Sequence, residues 1–530
     1  MKLCARFASL LLFSSSLLTA QVAVTTYQND NYRSGANAQE TTLTPANVNV
    51  NHFGRKAVFT VQGQVYAQPL YVPNLTVNGA SHNVVLIATE HDQVYAFDVD
   101  TGAQLWRNNF LASYSILLQI SSVSSSDVNC TDMTPEIGIT GTPVIDLSNF
   151  TMYLVAKTKE TNLVAHTTTF YQTLHELDLH TGVDRVIPRR ITATALGIGS
   201  GSLAGVQTFD PLVEGQRSAL LLHPDGQIMI GWASHCDLGT YHGWLMSFNK
   251  GNLSNTAVWV DTPNGVEGGF WAGGSGPAAD AGGSIYAPTG NGTFDANSGG
   301  IDYGDSVLRM TWTSGSGFAV SDYFTPWDQQ TLDNNDSDVA SGGVVLLPDQ
   351  PGTAHPHLLI QVGKEGTIDL IDRDNMGHFH SGNDSQIVQT LPFVIGGVWG
   401  GDAFWNNNAY FGGQSDHLKA YAFDPLGQKL SLSPTSSSST SYAYPGPTPA
   451  VSANGTTNGI VWTIQADGGH SYAILHAYDA TNLGTELYNS EQNSGRDRAG
   501  SRVKFSVPTI AGGHVFVGGS GQVSMYGLLN

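Results

Sequence analysis

Apolar and polar positions alternate with a period of two in short runs closed by Gly, Pro, Asn or Asp, a pattern that predicts short β-strands joined by tight turns. The clearest unit opens at Ala67-Gln68-Pro69-Leu70-Tyr71-Val72 and continues through Val84-Val85-Leu86-Ile87-Ala88-Thr89 and Val94-Tyr95-Ala96-Phe97-Asp98. It ends with the turn Thr101-Gly102 and Leu105-Trp106. Further units open at Thr142-Pro143, near Ala219, and at Gly276-Pro277, Gly342-Gly343, Gly400-Gly401, Thr448-Pro449 and Val507-Pro508. Where a third strand closes on Asp, the pairs are Leu177-Asp178, Ile371-Asp372, Phe423-Asp424 and Tyr478-Asp479. Eight such units predict an all-β fold, an eight-bladed β-propeller. The last unit stops at Tyr526-Gly527-Leu528, three strands in, so Ala57-Val58-Phe59-Thr60-Val61 is expected to supply its outer strand and close the ring. No Pro- or charge-rich linker interrupts residues 21–530, and one domain is expected there, with the Ser-rich stretch 431–441 as a surface loop.

The N-terminus departs from this pattern. Lys2 and Arg6 precede a short apolar run over residues 10–18, and Leu18-Thr19-Ala20 offers a cleavage site. Residues 1–20 therefore read as a secretory signal, with maturation near Gln21 and a secreted or periplasmic product. The apolar run falls short of the roughly 20 residues a membrane helix needs, and no later stretch approaches it. Composition fits strands and turns: 61 Gly, 20 Tyr and 21 Phe, against 12% charged residues. The net charge of −21 repels phosphate backbones and anionic lipid, which disfavours nucleic acid and membrane insertion; a monomer is expected.

Gln93-Val94-Tyr95-Ala96-Phe97-Asp98, with Thr101-Gly102 and Leu105-Trp106, closely resembles the repeat of the pyrroloquinoline quinone (PQQ) enzyme family. Tyr27-Gln28-Asn29-Asp30-Asn31-Tyr32-Arg33 and Leu43-Thr44-Pro45-Ala46-Asn47-Val48 resemble the N-terminal lead-in of quinoprotein alcohol dehydrogenases. The resemblance implies eight blades around an axial channel with any site at the top face. In the catalytic branch it implies PQQ with a calcium ion, a tryptophan floor, an aspartate base and a ring of two adjacent cysteines. This sequence has no adjacent cysteine pair, and the calcium-ligand motifs do not match residue by residue.

In a propeller the segments that open each blade and the turns between second and third strands converge on one mouth. The opening segments place Gln64, Gln68, Glu136, Trp271, Ser341, Trp399 and Tyr444 there; the turns place Glu90, His91, Lys157, His235, Asn291, Lys364, Glu365 and Asp467. Unlike polar residues at equivalent turns suggest a binding site. The plainer reading is that Glu90 and His91 cap a hairpin and that Lys157 and Lys364 pair with Glu136 and Glu365. The segment from Trp232 to Trp244, with His235 and His242, suits stacking and hydrogen bonding to a ligand better than metal, because its histidine spacing is not a zinc pattern. No metal site is expected. Asp372-Arg373-Asp374-Asn375-Met376-Gly377 mimics a calcium loop but lacks its closing glutamate, and the acidic stretch with Asp295, Asn297, Asp302 and Asp305 is read as a solvated loop.

The mature chain holds Cys130 and Cys236. Cys130 lies in the loop leading into the second blade and Cys236 in a turn of the third, on the same face, so a disulfide between them is expected; two unpaired thiols are the alternative. The reading preferred from sequence is a propeller that binds a small molecule or glycan in the central top-face pocket. The alternative is a PQQ-dependent dehydrogenase using calcium, with Lys157 or Lys364 at the quinone carboxylates, Trp399 or Trp271 against the ring and Glu136 as base. A third is a cofactor-free enzyme on polysaccharide using Glu90, Glu136 and Glu267.

Overall fold

The structure is a computed structural model and describes residues 22–529; the expected signal segment lies outside the described residues. Eight sheets form an eight-bladed β-propeller. The first blade is Leu70–Val77, Ala80–Thr89, Gln93–Asp98 and Gln104–Asn109 in antiparallel order. Its second strand explains why some runs read as continuously apolar. Val84, Val85, Leu86 and Ile87 are each no more than 1% exposed, because neighbouring blades cover both faces of the sheet.

Where a unit closes on Asp, that residue has a local task. The Asp98 carboxylate accepts the N–H groups of Asp100 and Thr101, and Asp178, Asp372, Asp424 and Asp479 accept the N–H two residues on in the same way. The turn docks the next blade. The Trp106 indole N–H donates to the Leu179 carbonyl, and its ring lies where a Cβ on Gly182 would come within 2.4 Å. Tyr153 and Tyr410 make comparable hydroxyl bonds to Lys250 and Ala480 carbonyls of following blades.

The last sheet is Thr509–Ala511, His514–Gly518 and Ser520–Leu528, with Phe53–Gln64 as its fourth strand. Ala57, Val58 and Phe59 pair antiparallel with Met525, Ser524 and Val523, and the Phe59 ring sits 5.0 Å from Phe97 of the first blade.

The lead-in before that strand crosses the inner strands of the whole ring. Val24 exchanges backbone bonds with Tyr71, and the carbonyls of Thr25, Asn31, Tyr32, Ser34 and Gly35 accept N–H groups of Ile145, Ala279, Leu346, Phe404 and Val451. The Asn31 and Asn37 amides add the third and eighth blades through Leu222 and Ile510 carbonyls. Arg33 is fully buried and donates to Pro277 O, Tyr27 O and Thr26 Oγ1, and burial pulls its pKa down to about 10. This segment is therefore a floor under the axial channel.

Three expectations are corrected. Ser436–Tyr442 is a strand rather than a loop, pairing with Asp416–Asp424. Its alternation is masked because Ser438 takes an inward position and hydrogen-bonds within the sheet. The acidic stretch is not solvated at its end: Asp302 and Asp305 are buried and accept the N–H groups of Asn264 and Val339. The lysine pairings also differ, as the mouth shows. Among the described residues no helix is long and apolar enough to cross a membrane.

Candidate functional site

A cavity of about 210 Å³ opens at the mouth, above the lead-in floor. Its walls combine Trp271, Trp399, Tyr444 and Phe505 with the cations Arg217 and Lys364, the carboxylates of Asp132, Asp237 and Asp338, and the Cys130–Cys236 bridge. Of the residues singled out in the sequence, His235, Trp271, Ser341, Lys364, Trp399 and Tyr444 line it.

Trp271 follows a run of left-handed backbone that includes Glu267 at φ 61° and Gly268 at φ 107°. A Cβ on Gly290 would come within 2.6 Å of Asp338 Oδ1 and 3.0 Å of the Trp271 ring, so the bare glycine lets both side chains reach the wall. Opposite, Trp399 and Tyr444 meet edge to face at 5.3 Å, and Tyr444 meets Phe505 at 6.2 Å. The Arg217 guanidinium stacks 3.7 Å from the Phe505 ring centre and donates to the Trp399 carbonyl. Among the described residues it has no salt bridge, and burial lowers its pKa. Tyr27 of the floor lies beneath it, across a small void they share with Phe505.

Lys364 pairs with Asp336 at 2.5 Å and Asp338 at 2.6 Å, not with Glu365. Burial alone would lower its pKa, but the two carboxylates outweigh that and raise it. Asp338 also accepts the Asn291 N–H at 2.8 Å, which places Asn291 behind the wall; its amide donates to Leu332 and Asp333 carbonyls. Lys157 likewise stands behind the wall. It donates to the Leu212 and Glu214 carbonyls and lies 2.7 Å from His235 Nε2, rather than pairing with Glu136. Burial lowers the Lys157 pKa to about 7, and burial and this ammonium push His235 well below its ordinary value.

Other expected residues lie elsewhere. His91 and Glu136 pair at 2.9 Å outside the cavity, and Glu90 is buried beneath Thr140. His242 is buried between Thr262 Oγ1 and the Ser200 carbonyl, away from the mouth. Glu365 lines a second cavity. Arg217 and Asp338 were not anticipated from the sequence. Both precede a blade opening, Arg217 just before Ala219 and Asp338 just before Ser341, so the rule that found Trp399 reaches them when applied to every blade.

The disulfide joins Cys130 to Cys236 with Cα atoms 5.8 Å apart. Cys236 and Asp237 both adopt left-handed φ, 55° and 51°, the kind of local strain that gathers at functional sites.

The fold is an eight-bladed β-propeller with a cavity at its mouth, and solved quinoprotein dehydrogenases share it. A europium-containing methanol dehydrogenase is similar with a TM-score of 0.60 at 12% identity, covering 96% of this chain and 98% of that one. The quinohemoprotein alcohol dehydrogenase of Comamonas testosteroni is similar with a TM-score of 0.57 at 14% identity, covering 95% of this chain and 80% of that one. A quinohemoprotein alcohol dehydrogenase of Pseudomonas putida HK5 gives 0.57 at 12% identity, with 96% and 80% covered. At such identities the likeness is one of fold. No family model and no curated protein sequence matches the chain.

Proposed function

We propose that the mouth binds a planar organic anion, PQQ being the first to test, and that the chain acts as a quinone-dependent dehydrogenase. The observation that carries this reading is Arg217, a cavity-lining guanidinium without a salt bridge among the described residues, set among four aromatic side chains. The likeness of fold to alcohol and methanol dehydrogenases supports it. A glycan has less support, because Glu90 and Glu136 do not line the cavity.

The cavity walls fit a flat, anionic ring. Trp271 and Trp399 offer apolar faces, and Arg217 suits bidentate pairing with a carboxylate. When bound, the quinone supplies a two-electron acceptor. Asp338, held by Lys364 and the Asn291 N–H, is the carboxylate placed to take a substrate hydroxyl proton, in place of Glu136. The donor set does not extend to calcium: among the described residues no three His, Cys, Asp or Glu side chains converge. No metal-assisted step is assigned. The N-terminal leader read from the sequence, together with the disulfide, supports export to an oxidising compartment.

Titration of purified protein with PQQ, followed by absorbance and thermal shift, tests the reading. Saturable binding is expected, weakened at least about tenfold in Arg217→Ala, a loss of about 1.4 kcal/mol or more. Absence of binding overturns the proposal; binding without dye-linked oxidation of small alcohols retires the dehydrogenase and keeps the binder.

A further inference from the structure

A second cavity, of about 330 Å³, lies beside the mouth between the fourth and fifth blades and shares Asp338 with it. Its polar walls are of opposite sign to Arg217. Asp328, Glu365, Asp369 and Asp384 all line it, and among the described residues none of the four has a salt-bridge partner. Its apolar walls are Trp327, Leu332, Val339, Pro392 and Phe393, and Gln361, Thr367, Asn383 and Thr390 add uncharged polar groups.

Asp369 is the informative residue. It is 7% exposed, faces the cavity, and its Oδ1 has no hydrogen-bond partner. Burial raises its pKa to about 8; Thr390 opposes the shift, and Asp384, Asp328 and Glu365 add to it. A buried carboxylate among like charges is costly unless something positive sits against it, and among the described residues no lysine or arginine lines this cavity. The aromatic side chains are held at the rim. The Trp327 backbone N–H donates to Asp384 Oδ1 at 2.9 Å, and the residue is 48% exposed. Phe393 is 66% exposed and adopts φ 56°, a conformation that bulky L-residues rarely take, with its N–H on Thr367 Oγ1.

We infer that this cavity binds an organic cation, a primary amine whose ammonium meets Asp369 and whose carbon chain lies against Trp327 and Phe393. Carboxylates supply the charge, and the exposed Trp327 and Phe393 rings supply apolar surface for the carbon chain. A bare metal ion fits poorly, since the carboxylates do not converge as a ligand set and the cavity is far larger than one ion. The inference does not depend on what the mouth binds.

Calorimetric titration of the full chain with putrescine at low salt tests it, with butanediol as the neutral isostere and calcium chloride as the metal control. Putrescine is expected to give one saturable site and to raise the melting temperature, and butanediol to give no heat. Asp369→Asn and Trp327→Ala are each expected to weaken putrescine at least about tenfold. Asp369→Asn keeps the shape and the neutral side chain that the unliganded cavity favours, so its unliganded melting temperature should match or exceed the wild type, which separates loss of binding from loss of fold. No saturable heat into the millimolar range, undiminished binding in both variants, or displacement of putrescine by equimolar calcium overturns the inference.

Discussion

Two buried ionisable groups behind the mouth shift in opposite directions. Burial lifts Glu90 from 4.5 to about 8, against the bonds it accepts from the Gly138 N–H and the Thr140 hydroxyl. Burial lowers Lys157 from 10.5 to about 7. Below pH 4.5 Glu90 is protonated in both folded and unfolded chains; between 4.5 and 8 only the folded chain keeps the proton, so its contribution to stability falls as pH rises, then levels. Lys157 works the other way, its penalty complete below pH 7 and relieved between 7 and 10.5. Glu90→Gln keeps one oxygen acceptor and gives the unpartnered Oε1 position a neutral group. In urea unfolding the variant should match the wild type near about pH 5 and gain on it towards about pH 9, by up to a few kcal/mol at about 1.4 kcal/mol per pKa unit. A constant difference across that range would contradict the buried, protonated Glu90. The turn positions of Glu90 and Lys157 were legible in the sequence; their depth was not, because it depends on loops from the next blade closing over them.

At the scale of elements, the disulfide ties the loop that carries Asp132 and Met133 to the turn that carries His235 and Asp237. It spans 106 residues, for which chain entropy sets an upper figure of about 4–5 kcal/mol. The double variant Cys130→Ala/Cys236→Ala should unfold at lower denaturant by up to that amount and bind the mouth ligand more weakly, because one wall is no longer pinned. Equal stability would mean that packing alone holds the two loops together. This bridge was readable before the structure because both cysteines fall on the same face of adjacent blades, Cys130 in an entry loop and Cys236 in a turn between strands. Ser436–Tyr442 was not readable, because hydrogen-bonded serines occupy positions where alternation would show apolar side chains.

For the whole molecule, Ser520–Leu528 is the central element of closure, paired on one side with His514–Gly518 and on the other with Phe53–Gln64. Deleting residues 523–530 strips both partners and exposes Phe59 and Phe516, which pack towards the first blade. Cooperative thermal unfolding should be lost, as calorimetry would show. A truncated chain with an unchanged transition would mean that the ring does not need this strand.

The sequence by itself determined the blade count, most of the strands, the Asp turns and the face on which the mouth cavity opens, because these follow from local periodicity and turn chemistry repeated in register. Tertiary structure alone decided which residues meet. The lead-in reads as an irregular polar segment, yet its backbone bonds to six of the blades and its Asn31 and Asn37 side-chain bonds to the other two make it the channel floor. Arg217, a cation without a salt bridge among the described residues, became part of the cavity wall only when Phe505 and Trp399, far along the chain, were brought against it. Lys364 faces Asp338 rather than its neighbour Glu365 because adjacent residues at a turn point apart while a neighbouring loop folds over one of them.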